Sequence, residues 1–396
     1  MPKSINKISY LDGIRGVAAF SVVIHHFLLA FYSACYNFDE HATHLHNWDV
    51  KFGRSLYNVF ANGNYCVCIF FVLSGFVLSR KYFKNNTLEF LISGAQRRFV
   101  RLYIPVAAAL IIAFIMMEAH AFFNHQVAPI THSDWWLGVQ FGFTDIWTQF
   151  YKCLLYRTMF FVDGTFITST WTIAIEFYYS MIVFAFLALT HGTRNRTTSL
   201  IIMLLFCCLT DNAFLTAFML GISLNYTEAR KNHLSRKTLL FASAALLLVG
   251  LVLGSYPTNN QILHTFYGRT PEFIVLTINS NWFHTVGAYL LVLAFVLSTR
   301  LQHFLSLRLF RFLGYISFAI YLLHPLVIGS ITSYIFLQAY PRVGYNASVG
   351  LAFLVTIAAC VPASWLMTRY IDGPGIKLAK KIYTRYFKNT AAPVSD

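Results

Sequence analysis

"YLDGIRGVAAFSVVIHHF", residues 10–27, decides the fold. It is apolar enough to open a membrane helix, yet it holds Asp12, Arg15, His25 and His26. An ionisable side chain at the centre of a bilayer costs about 3 kcal/mol or more, so such residues face a protein interior or a water-lined path. A helix advances about 100° and 1.5 Å per residue. Arg15 and His26, eleven residues apart, then lie within roughly 20° of each other, and His26 sits roughly 16 Å further along the axis. Asp12 falls about 40° from His26, whereas His25 turns about 80° away from Arg15, toward a flank. Asp12, Arg15 and His26 therefore form one stripe, and of the two histidines His26 is the candidate for chemistry.

The rest of the chain supports a membrane reading. It has 396 residues, of which 57% are hydrophobic, 17% aromatic and 11% charged, and a mean hydropathy of +0.57. Soluble domains carry about 25% charged residues. A hydropathy window of about 19 residues gives ten candidate spans: 10–32, 59–80, 102–123, 168–190, 199–211, 213–225, 238–255, 283–299, 314–338 and 346–370. The fold class is an all-α polytopic membrane protein. Spans five and six are short and flank Asp211-Asn212, so they read as a tight hairpin or a re-entrant pair, since crossing takes about 20 residues.

The net charge of +15 invites nucleic acid, but that would need a solvated basic face. Instead the charges sort by side. With the N-terminus cytoplasmic, only Lys51, Arg54, Lys152, Arg157, Arg269 and Arg342 of the 30 Lys and Arg fall outside. This positive-inside bias predicts cytoplasmic N- and C-termini, with attraction to anionic lipid or phosphate as a second effect. The first span is interrupted by Arg15 and two histidines, unlike the apolar core of a cleaved signal peptide. It is read as retained.

One membrane domain is expected over 1–376, followed by a basic cytoplasmic tail over 377–396. The longer exterior segments, 33–58, 124–167 and 256–282, are too short to fold as modules of their own. The aromatic stretch 135–161 (WWLGVQFGFTDIWTQFYKCLLYRTMFF) reads as an interfacial belt, with an acceptor platform as the alternative. Cys35, Cys66, Cys68 and Cys153 fall near the outer face, where a disulfide could form, but a structural role is the better reading. No metal is predicted: Cys66 and Cys68 lack partners at zinc-ligand spacing, and His41, His44 and His46 read as a solvated loop. The sequons at Asn85, Asn195 and Asn225 fall on cytoplasmic segments, and the one at Asn346 lies against the membrane; none predicts a glycan.

Three further clusters carry chemistry. In "QRRFVRLYIP" (96–105), Arg98 and Arg101 are helix-face neighbours, and paired guanidinium forks suit phosphate. A positive-inside flank is the plainer reading of those residues alone. In "STWTIAIEFYYS" (169–180), Glu176 lies in an apolar run after Trp171, and a buried carboxylate needs a partner. It could orient His26, hold an acceptor hydroxyl or simply anchor the bundle. In "LGYISFAIYLLHPLVI" (313–328), Ser317, Tyr321 and His324 share a face, and Pro325 loosens the backbone. His324 reads as structural, with a second acid/base role as the alternative.

Together these motifs resemble the acyltransferase-3 family of integral membrane acyltransferases. "YLDGIRGVAAFSVVIHHF" is similar to the family's first-helix pattern, an arginine followed by a histidine, at the separation of Arg15 and His26. "FFVLSGFVLS" (70–79), "RRFVRLYIP" (97–105), "WTIAIEF" (171–177) and "YISFAIYLLHP" (315–325) follow in the family's order, so the resemblance spans residues 10 to about 370. It implies an acyl-CoA donor, acetyl-CoA being the commonest, as co-substrate from the cytoplasmic side. It also implies an O-acyl product on a sugar, glycolipid or other envelope-associated hydroxyl. The family's essential histidine maps to His26, its first-helix arginine to Arg15 and its paired arginines to Arg98 and Arg101. The fused exterior esterase-like domain of some members is missing here, which leaves room for a separate accessory protein. If the source is bacterial, the inner membrane is the expected location.

The residues alone support this chemistry. A neutral imidazole can take a proton from an attacking hydroxyl or return one to a leaving thiol, directly or through an acyl-histidine. Arg15, Arg98 and Arg101 would meet the donor's phosphates, and Glu176 would orient or balance protons. Two rival readings use the same stripe: a transporter of an anionic solute, which lacks the expected internal pseudo-symmetry, and a scaffold of a polysaccharide complex. A scaffold has little need for buried arginines and histidine.

Overall fold

The computed structural model describes residues 9–259, 261–271 and 279–387. Lys3, Lys7 and Lys388, the tail beyond Phe387 and part of the 256–282 segment lie outside the described residues. Ten long helices correspond to the ten expected spans: α1 Ser9–Phe31, α2 Gly63–Asn85, α3 Leu88–Glu118, α4 Trp171–Leu189 and α5 Arg196–Leu209. They continue with α6 Ala213–Arg230, α7 Arg236–Gly254, α8 Ser280–Leu297, α9 Arg308–Val343 and α10 Tyr345–Tyr386. Among the described residues, eight helices are long and apolar enough to cross a membrane, all but α5 and α6. The protein is an all-α polytopic membrane protein.

Polar residues at the span boundaries cap these helices. The side chains of Asn62, Asn212, Ser235 and Asn279 accept backbone N–H bonds at the starts of α2, α6, α7 and α8, as N-caps do. The 14 residues of α5 rise only about 21 Å, short of the roughly 30 Å hydrocarbon layer. The α5–α6 pair is a helical hairpin. Its turn is held from two sides: Trp282 Nε1 donates to Asp211 Oδ1 at 2.5 Å and Tyr179 to Asn212 Oδ1 at 3.0 Å.

The third span begins earlier than hydropathy suggests. α3 runs from Leu88, so "QRRFVRLYIP" lies within it and not between two spans. Its arginines hid the helix from the window, although Arg98 is only 8% exposed. α10 likewise continues to Tyr386, carrying part of the expected tail as helix.

Two features place the site. α1 packs along α9 at a glycine crossing: a Cβ on Gly16 would come within 2.4 Å of the Gly314 nitrogen, and one on Gly314 within 2.1 Å of the Asp12 carbonyl oxygen. Small residues let membrane helices approach backbone to backbone. Then both α9 and α10 contain a π-helical turn, Ile328–Thr332 and Thr368–Asp372, a feature that re-aims side chains and recurs at functional sites.

The segment after α3 folds down onto the end of α1. Fully buried Asn124 donates to the carbonyls of Leu137 and Gln140, both at 2.8 Å. Ser133 Oγ donates to the Leu29 carbonyl at 2.6 Å, and Ser33 Oγ to that of His132 at 3.0 Å. This part of the aromatic stretch is a cap on the bundle and not only a belt. The seven cysteines are unpaired; Cys66 and Cys68 are buried in α2, packed as core residues.

Candidate functional site

At the Arg15 end of α1, six helices enclose a cavity of about 430 Å³. Its polar lining is Asp12 and Arg15 from α1, Ser74 from α2, Arg98 and Arg101 from α3, and Thr172 and Glu176 from α4. Tyr315, Ser317 and Tyr321 from α9 and Thr368 and Asp372 from α10 complete it. Phe70, Phe71 and Phe318 line the apolar side. Asp12, Arg15, Arg98, Arg101, Glu176, Ser317 and Tyr321 thus share one chamber, whose lining does not include His26 or His324, and its size suits a small-molecule ligand.

Four of the six charged side chains in the lining form ion pairs. Arg15 Nη1 lies 3.3 Å from Asp12 Oδ1, one helical turn away. Arg98 Nη2 meets Glu176 Oε1 in a buried ion pair. Ser74 Oγ donates to the same carboxylate oxygen at 2.7 Å, and Arg98 Nε donates to Ser180 Oγ at 2.9 Å. Breaking such a pair strands a buried charge. Arg101 differs: it is solvent-exposed in the cavity wall and makes no hydrogen bond or ion pair among the described residues. The expected pair of free guanidinium forks is therefore one committed arginine and one available one. Glu176 is spent on Arg98 and Ser74 and does not reach His26.

Among the described residues, the other end of the stripe holds no charge pair. His26 Nδ1 is 2.6 Å from His324 Nε2. The two ring planes are 11° apart and the centroids 4.9 Å apart, so the rings meet edge to edge through that contact. His324 is fully buried, and its Nδ1 lies 2.9 Å from the Ile320 carbonyl. Trp136, from the cap, stacks on His26 at 5.0 Å and 20°. The helical-face geometry of α1 holds: His25 turns away, its Nδ1 donating to the Ala61 carbonyl at 2.8 Å. His324, read as structural from sequence, is the direct partner of His26.

Tyr321 bridges the two ends. It lines the cavity, its hydroxyl lies 3.0 Å from Thr172 Oγ1, and its ring centroid is 6.2 Å from that of His324. Ser317 lines the cavity, with Oγ bonded to the Gly314 carbonyl at 2.9 Å. Trp171 stays outside it, against Phe214. Ser74, Thr172, Asp372 and Trp136 were missed by sequence reasoning. Ser74 lay in plain view in "FFVLSGFVLS"; nothing local marks Trp136 as inward-facing.

Elsewhere, His44 stacks on Tyr345 at 3.7 Å, and no group of three metal-ligating side chains occurs among the described residues. Asn225 is buried and donates to Ser79 Oγ at 2.8 Å, inaccessible to any glycan.

Comparison with known proteins identifies the family of the chain. A family model described as an acyltransferase domain, that of the acyltransferase-3 family, matches residues 8–367. The chain is 23% identical to O-acetyltransferase PaAT-1 of Phomopsis amygdali, over 99% of its own length and 87% of the relative's. It is 21% identical to Acyltransferase clz18 of Cochliobolus lunatus, over 86% and 85% respectively. Acyltransferase R4 of a Phoma species is also 21% identical, over 97% of each chain. No solved structure matches. The chain belongs to the acyltransferase-3 family and is an integral membrane acyltransferase.

Proposed function

We propose that this acyltransferase moves an acyl group, acetyl in the simplest case, from acyl-CoA to a hydroxyl of a sugar or other alcohol, with His26 as general base. The observation that carries the proposal is the placement of a histidine pair beyond a cavity with one uncommitted arginine. The donor's phosphates would meet Arg101 first, with Arg15 behind it. Arg98 and Glu176 hold the wall, and the pantetheine arm would run past Tyr321 toward His26. With the basic end cytoplasmic, as the positive-inside rule favours, acyl-CoA enters from the compartment that supplies it.

In this scheme His26 takes the proton of the acceptor hydroxyl as its oxygen bonds to the thioester carbonyl carbon. The C–S bond then breaks, and the proton passes from His26 to the departing thiolate. The products are an ester and free CoA. The name O-acetyltransferase borne by one relative supports both the acetyl group and the oxygen acceptor. A transporter reading has no use for a catalytic base at the end of a closed stripe.

Donor binding tests the proposal. Purified protein in nanodiscs should bind acetyl-CoA, measured by calorimetry with desulfo-CoA as a non-hydrolysable stand-in. Arg101→Ala should weaken that binding about tenfold, the value of one charge-assisted contact. Binding that is absent, or unaffected by Arg101→Ala, would remove the donor from this cavity.

A further inference from the structure

The histidine pair contains more information than its proximity. A carbonyl oxygen has no proton to give, so the contact between His324 Nδ1 and the Ile320 carbonyl, at 2.9 Å, places a proton on Nδ1. This carbonyl sits one turn before the histidine. The adjacent Pro325 has no N–H to continue the local ladder, and the helix passes into its π turn at Ile328. His324 is fully enclosed, and among the described residues its hydrogen-bonding neighbours are the Ile320 and Tyr321 carbonyls and His26. Among the described residues no carboxylate bonds to it, so a cationic ring would be an uncompensated buried charge. A neutral ring with its proton on Nδ1 has a lone pair on Nε2.

That lone pair faces His26 Nδ1 at 2.6 Å. Two lone pairs would repel at this distance, so His26 must donate, and its own proton resides on Nδ1. The second nitrogen of His26, Nε2, then carries a lone pair. It makes no hydrogen bond among the described residues, and it is not among their sealed, unpartnered polar atoms. A histidine's tautomer is set by the bond its other nitrogen makes, and behind metal-ligating histidines a fixed partner of this kind is worth about 10–100-fold. Trp136 stacks on the face of the His26 ring and not on the edge that bears Nε2.

We infer that His324 is a positioning residue. Anchored by the Ile320 carbonyl, its Nε2 accepts the His26 Nδ1 proton and so presents the His26 Nε2 lone pair to the acceptor hydroxyl. This rests on His26 acting as base, but the tautomer can be measured without any turnover. It also separates His26 from His25 in kind: His25 donates through Nδ1 to a backbone carbonyl, and among the described residues no imidazole accepts from it.

The experiment is nitrogen NMR of ¹⁵N-histidine-labelled protein in nanodiscs, with His26→Ala used to assign the His26 signals. Wild type should show His26 neutral, protonated at Nδ1 and bare at Nε2. In His324→Phe, which keeps the bulk but cannot accept, that tautomer should lose its dominance. Acyl transfer should fall about 10–100-fold in kcat, with KM for acetyl-CoA changed less than twofold. His324→Gln, whose amide oxygen can accept the same proton, should recover most of the loss. A wild-type His26 protonated at Nε2, or a His324→Gln no better than His324→Phe, would overturn the inference. Should either variant fail to fold, the wild-type spectrum decides alone. An inactive protein with the expected spectrum would refute the transfer reaction and not the tautomer.

Discussion

The two ends of the α1 stripe solve the burial of polar groups differently. At the Arg15 end, charge is met with charge: Arg15 with Asp12, and Arg98 with Glu176 under Ser74 and Ser180. At the His26 end there is no carboxylate in the hydrogen-bond network; two imidazoles and a helix carbonyl satisfy one another. The first arrangement is a wall that keeps a polar cavity open within an apolar bundle. The second leaves one nitrogen of His26 without a hydrogen bond among the described residues, as the proposed proton transfer needs. In that proposal the first serves the fold and the second the chemistry, so substitutions at the two ends should fail in different ways.

The largest effect on stability is expected from Arg98→Ala. It strands the Glu176 carboxylate, and breaking a buried pair costs about 3–5 kcal/mol. Thermal unfolding in detergent should show a large loss, and Glu176→Gln should be milder than Glu176→Ala because the amide still bonds Ser74 and Arg98. Equal stability of Arg98→Ala and wild type would mean the ion pair is not structural.

At the Arg15 end, Gly314→Leu forces α9 away from α1, since even a Cβ would strike the Asp12 carbonyl oxygen. Overpacking costs about 1–3 kcal/mol, and the register of Arg15 and His26 against α9 is lost with it. Activity should therefore fall further than the melting temperature suggests. If both fall in proportion, the crossing serves stability alone.

A smaller effect, confined to donor affinity, is expected from Arg101→Ala. KM for acetyl-CoA should rise about tenfold with kcat and melting temperature nearly unchanged. A stability loss like that of Arg98→Ala would erase the contrast between committed and available arginines. Smallest is Trp136→Phe, which keeps an aromatic face on His26. It should cost less than about threefold in kcat, within the modest range of ring–ring contacts, whereas Trp136→Ala should cost more.

Much of the fold was legible because hydropathy and helical periodicity are local. Ten segments and the shared face of Asp12, Arg15 and His26 follow from about 100° per residue. The start of α3 was not, because Arg97, Arg98 and Arg101 make a window polar even where Arg98 is buried against Glu176. The individual partners were least legible. Glu176 reads equally well as a partner of His26 or of an arginine until α2, α3 and α4 are placed together. His324 looked structural because nothing within its own helix shows that a ring 298 residues away faces it. Trp136 sits in a stretch whose composition suits a membrane interface, and only the buried bonds of Asn124 and Ser133 turn it inward.

The central claim is that His26, and not its neighbour, is the group at which transfer occurs. The most direct test is thiol release from acetyl-CoA with an acceptor-containing membrane extract, comparing wild type, His26→Ala and His25→Ala in nanodiscs at matched folded fraction. The account predicts that His26→Ala loses about 100-fold or more, as removal of a general base does, while His25→Ala stays within about threefold. Loss of release in His25→Ala with His26→Ala active would contradict it.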